Sequence, residues 1–74
     1  MPIRTAKEFG SLIKSTRKKS KLTQKELAAA SGLGNRFVRE LENGKPSCQL
    51  DKALRVAQML GIKFEGTPPR NLDT

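Results

Sequence analysis

Asn35, Arg36 and Arg39 fall within five consecutive positions, and a helix through them puts the two arginines on one face. An amide side chain can form two hydrogen bonds with adenine and a guanidinium two with guanine, so these residue types suit the reading of base edges. A good bidentate pair contributes about 1–3 kcal/mol of discrimination per base. Gly34, immediately before them, carries no side chain and lets the backbone approach a base edge or phosphate closely. Arg36 also precedes Glu40 by one helical turn, the spacing of an exposed ion pair; the two uses are compatible.

A second set of residues suits phosphate. Thr23 and Gln24 open a helical pattern, where free backbone N–H groups and the helix dipole favour an anion. Lys45 follows the pattern that contains Arg36, and Arg17, Lys21 and Lys25 lie in a run with Lys14, Lys18 and Lys19 that no acid interrupts before Glu26. The chain has 15 Lys and Arg against 7 Asp and Glu, a net charge of +8, which points to an anionic partner. A membrane surface is a poor candidate: three Phe, no Trp and no Tyr give few interfacial anchors, and no apolar run approaches a spanning length. No secretory leader is visible, which predicts a cytoplasmic protein. A single cysteine, Cys48, and no histidine exclude an internal disulfide, cysteine-based and Cys₂His₂ zinc sites, and histidine acid–base chemistry. No metal-ligand cluster, nucleophile–base pair or phosphate-cradling loop suggests an enzyme, and no cofactor is expected.

The elements that must position these residues can be read from caps and periodicity. Thr5 with Glu8 and Thr23 with Glu26 have capping-box spacing, which starts one helix near Thr5 and another at Thr23. The first helix turns Phe9, Leu12, Ile13 and Thr16 inward and ends near Ser20; the second turns Leu27 and Ala28 inward. Ser31, Gly32 and Leu33 make a turn, and a third helix from about Gly34 to Glu42 buries Phe37, Val38 and Leu41. Ala28, four residues before Gly32, is small where two steeply crossing helices would otherwise collide. The pair reads as a helix-turn-helix, whose second helix can enter a major groove. Asn43 and Gly44 end that helix, and Pro46 keeps Lys45 out of helical geometry. A fourth helix runs from about Leu50 to Leu60, with Leu50, Leu54, Ala57 and either Val56 or Leu60 facing the core.

Residues 62–65 alternate apolar and polar, which predicts a short strand. A lone strand leaves its backbone unpaired, so its expected partner is the same strand of a second copy; the competing reading is an irregular tail. Val56, Met59, Leu60, Ile62 and Phe64 exceed what one small core needs, and part of this group is assigned to a two-fold interface, although any one of them can be core. The expected fold class is all-α, with about four helices and one C-terminal strand. The expected organisation is one domain over residues 1–66 and a proline-rich, disordered tail over 67–74.

The stretches TQKELAAASGL and GNRFVRELENGKP closely resemble the XRE, or lambda-repressor-like, helix-turn-helix group. Gln24, Leu27, Ala28, Gly32, Leu33, Val38, Leu41 and Gly44 match its pattern. Ser31 departs from it, replacing a usual apolar residue and loosening the packing expected at the turn. Within the group, RFVRELENGKPSCQLDKALRVAQMLGIKFE is similar to the HipB-like antitoxins. The resemblance implies a homodimer that binds a palindromic operator, represses its own operon and holds a HipA-like kinase toxin inactive. It also implies base reading by Asn35, Arg36 and Arg39 and phosphate contacts by Gln24 and Lys45. Two alternatives stay open: a free-standing regulator of the same group without a toxin, and a non-specific basic nucleic-acid-binding protein. The second fits poorly with three Phe that all sit in apolar patterns, because single strands are usually held by stacking on exposed aromatics.

Overall fold

A computed structural model describes residues 2–70. Four helices follow in order: α1 (Ala6–Lys19), α2 (Gln24–Ser31), α3 (Asn35–Glu42) and α4 (Leu50–Met59). Both capping boxes form. The Thr5 Oγ1 accepts from the Glu8 N–H at 3.0 Å while a Glu8 carboxylate oxygen accepts from the Thr5 N–H at 3.1 Å. Thr23 and Glu26 repeat the exchange at 3.0 and 2.8 Å, so the first turns of α1 and α2 satisfy backbone donors that would otherwise be orphaned. Gly32 ends α2 in the left-handed conformation, φ +69°, which an L side chain rarely adopts.

Ile13, Leu27, Ala28, Val38, Leu41, Ala53, Val56 and Ala57 make the buried core, one contribution or more from every helix. The helix α3 packs against α1 and α2, and α4 packs against α2. A feature absent from the periodicity reading is Gly10. A Cβ there would overlap the backbone carbonyl oxygens of Leu41 and Glu42, so α1 lies directly on the end of α3 because this position has no side chain.

The inward face of α4 differs from the expectation in part. Val56 and Ala57 are buried as expected, but Leu50 is 68% exposed and Leu54 is 36% exposed, and Ala53 is buried in their stead. Two apolar stripes run along this helix side by side. Hydropathy favours the leucine stripe, but alanines allow closer approach to α2, and the packing selects the alanine stripe. Val56 is 0% exposed in its own chain's core, so it has no surface to offer a two-fold interface, contrary to its assignment above. Met59 and Phe64 are exposed, and Leu60 and Ile62 are partly buried against the core.

Among the described residues there is no strand. The segment 62–65 has no ladder within the chain, since a single copy supplies no second strand for it. Phe64 instead stacks on Phe9 of α1, with ring centroids 5.3 Å apart and 14° between the planes. Residues 67–69 have no regular structure; the part of the expected tail at 71–74 lies outside the described residues. Among the described residues no helix is long and apolar enough to cross a membrane.

Candidate nucleic-acid interface

The exposed side of α3 follows from its burial pattern. Val38, Leu41 and Glu42 face inward, Phe37 is half-buried, and Asn35, Arg36 and Arg39 are exposed. Gly34 is the N-cap and offers no side chain, so the first N–H groups of α3 are not satisfied by a side-chain cap. The three residues expected to read bases therefore share the solvent side of one helix, beside an uncapped, partly positive helix end.

Arg36 is both exposed and paired. Its Nε donates to a Glu40 oxygen at 3.2 Å, and the Lys45 Nζ donates to the other Glu40 oxygen at 3.2 Å. The two cations, Lys45 foremost, hold the Glu40 carboxyl below the usual carboxylate range. The terminal nitrogens of Arg36 make no hydrogen bond among the described residues, which leaves a two-pronged donor set pointing outward. Lys45 stands at the far end of α3, exposed, as the phosphate reading required.

The proposed phosphate set divides in two. Lys21 and Lys25 are exposed, and Lys21 adopts a left-handed backbone, φ +60°, in the joint between α1 and α2. Thr23 is exposed but its hydroxyl is engaged in the α2 cap. Arg17 is not available to any phosphate. Its guanidinium is buried and bonds Glu42 twice, Nε at 2.6 Å and Nη2 at 3.0 Å, with Nη1 donating to the Leu22 carbonyl at 2.8 Å. The expectation for Arg17 fails because a neighbouring helix supplies a buried carboxylate 25 residues away in sequence. The Gln24 amide also donates to Glu42, at 2.9 Å, leaving its backbone N–H, in the first turn of α2, as the group nearest the role expected of it.

Glu42 was missed as a positioning residue. It accepts from Arg17 of α1 and Gln24 of α2 while standing at the end of α3, so one carboxylate ties three helices together under the exposed face. The signal was present: Glu42 lies four residues after Val38 and next to Leu41, which puts an acid on the inward side of the helix. Ser31, at the turn, is 4% exposed and its hydroxyl has no partner among the described residues. The departure from an apolar residue thus leaves a buried polar group unsatisfied.

The helix-turn-helix family model matches residues 13–66, which includes all of the elements just described except the start of α1. An uncharacterized HTH-type transcriptional regulator, y4mF, of Sinorhizobium fredii is 42% identical over 67 residues, covering 90% of this chain and 88% of that protein. Among solved structures, a HipB–O4 20mer complex and a HipA–HipB–O2–O3 complex each superpose with a TM-score of 0.83 at 20% identity. Each covers 95% of this chain and 99% of that one. At that identity the structural likeness establishes the shared fold alone.

Proposed function

This chain belongs to the helix-turn-helix family as an XRE-like transcriptional regulator, and from that premise we propose that it is a sequence-specific repressor and the antitoxin of a toxin–antitoxin pair. The reading has it bind a palindromic operator as a homodimer, repress its own operon and bind a HipA-like kinase toxin. The observation that carries the DNA-binding part is the solvent face of α3, with Asn35, Arg36 and Arg39 presented outward over a core that a buried ion pair locks. The complex of HipA with HipB supports a toxin partner, by likeness of fold. Exposed Leu50, Leu54 and Met59 on α4 and Phe64 after it support a second copy as an occupant, a set that keeps Met59 and Phe64 from the one periodicity suggested and adds Leu50 and Leu54.

Selecting duplexes from a randomised library tests the reading directly. Arg36→Ala and Asn35→Ala should each lower selectivity for the enriched sequence; unchanged base preference in both removes them as readers. Lys45→Ala should weaken binding to every sequence alike and flatten the salt dependence by about one phosphate's worth, a slope change near 0.9. Removing residues 62–74 should impair dimerisation, and a truncated chain that still sediments as a dimer excludes pairing of the 62–65 segment with its copy. The 42% identical relative is named only as a regulator, which favours a second reading without a toxin. Co-purification with the product of the adjacent gene separates the two.

A further inference from the structure

We propose that Glu40 is a specificity-determining residue: an internal counter-ion on the reading face that restrains Arg36 and keeps it from gripping phosphates indiscriminately, while Lys45 shares the carboxylate and keeps its phosphate role. The inference rests on the DNA-binding reading above and assigns a role to an acid that reading leaves unused. Each Glu40 oxygen takes one cation, Arg36 Nε at 3.2 Å and Lys45 Nζ at 3.2 Å. The helix α3 contains just two acids; Glu42 is buried and fully engaged, so Glu40 is the one this helix presents toward solvent. Its partners are the central outward arginine and the lysine expected to hold the backbone.

Exposed ion pairs add little to stability, so the value of this pair of contacts lies elsewhere. A phosphate that draws Arg36 off Glu40 exchanges one charge-assisted bond for another, and it then sits near the carboxylate's negative charge. On a random sequence that exchange yields little. On a matched site the outcome differs, because Arg36 can keep Nε on Glu40 while its two terminal nitrogens, unbonded among the described residues, meet the two acceptors of a guanine. The carboxylate thus biases the orientation of the guanidinium before DNA arrives, which lowers the ordering cost of the specific contact and raises the cost of the general one.

The experiment compares wild type, Glu40→Gln and Glu40→Asp on two probes, a duplex enriched from a randomised library and a random-sequence duplex of equal length, between about 50 and 200 mM salt. Glu40→Gln should bind the random duplex about three-fold or more tightly, with a salt slope steeper by about 0.9 as Arg36 is freed to a phosphate. The ratio of enriched to random affinity should fall at least five-fold, the lower end expected for misplacing one bidentate contact. Glu40→Asp keeps the charge and should retain the wild-type slope. An unchanged slope and random-duplex affinity in Glu40→Gln, while wild type still selects a sequence, overturns the role of Glu40 and leaves the DNA reading standing. Glu40→Asp behaving like Glu40→Gln overturns it as well, because charge would then not be the cause. A wild type without salt-sensitive duplex binding instead removes the DNA reading, and this inference with it.

Discussion

Replacing Glu42 by Gln should destabilise the domain severely, although the two side chains have nearly the same shape. The Glu42 side chain is 1% exposed and that of Arg17 is 10% exposed, so the change leaves a buried guanidinium without its counter-charge. Three donors converge on the carboxylate, at 2.6, 3.0 and 2.9 Å, and an amide cannot accept all of them without turning its own NH₂ toward Arg17. Breaking a buried pair by removing one partner costs about 3–5 kcal/mol. A domain of this size is expected to hold only about 4–11 kcal/mol in total, at 0.05–0.15 kcal/mol per residue. The variant should therefore melt at least about 12 °C lower, or be unfolded at room temperature. Circular dichroism during thermal and urea unfolding reads this. The companion variant, Arg17→Met with Glu42→Leu, replaces the pair by apolar groups and should recover most of the loss, short of about 1 kcal/mol for the Leu22 carbonyl that Arg17 served. A single substitution that costs less than about 1 kcal/mol, or a double variant no more stable than the single, would refute the argument that an uncompensated buried charge dominates.

Ser31→Ala should raise stability by about 1 kcal/mol or more, because it removes a buried hydroxyl that has no partner among the described residues; unaltered or lower stability in urea would show that the hydroxyl is satisfied in solution. Lys21→Gly should relieve the left-handed backbone and add about 0.5–1 kcal/mol while flattening the salt dependence of DNA binding, so a stabilised variant with an intact salt slope would free Lys21 of a phosphate role. The Glu40 pairs should persist as pH falls through the ordinary carboxylate range. Because Lys45 and then Arg36 depress its folded value, their contribution is present above the unfolded value and is lost as pH falls through the lowered one. Melting curves of wild type and Glu40→Gln should accordingly converge only in that acidic window, and convergence near neutrality would contradict the pairing.

How much was legible in the sequence depended on the range of the interaction. The starts of α1 and α2 were set by partners three residues apart, and the end of α2 by one glycine, so residue order alone determined them. The outward placement of Asn35, Arg36 and Arg39 followed from the apolar positions of the same short helix, and the Arg36–Glu40 pair from spacing along it. What residue order left open were choices between local solutions of similar merit. Either the leucine or the alanine stripe of α4 could have faced inward, and the approach of α2 decided for the smaller side chains. Arg17 looked like one more surface cation in a basic run until the fold brought Glu42 beside it and removed both from water. Phe64 likewise met Phe9 only because the chain returns along α1. Local hydrogen bonds and periodicity are encoded by neighbours in sequence. Close approach, desolvation and the pairing of distant charges are properties of the assembled core, and those decided which basic residues remain free for a partner.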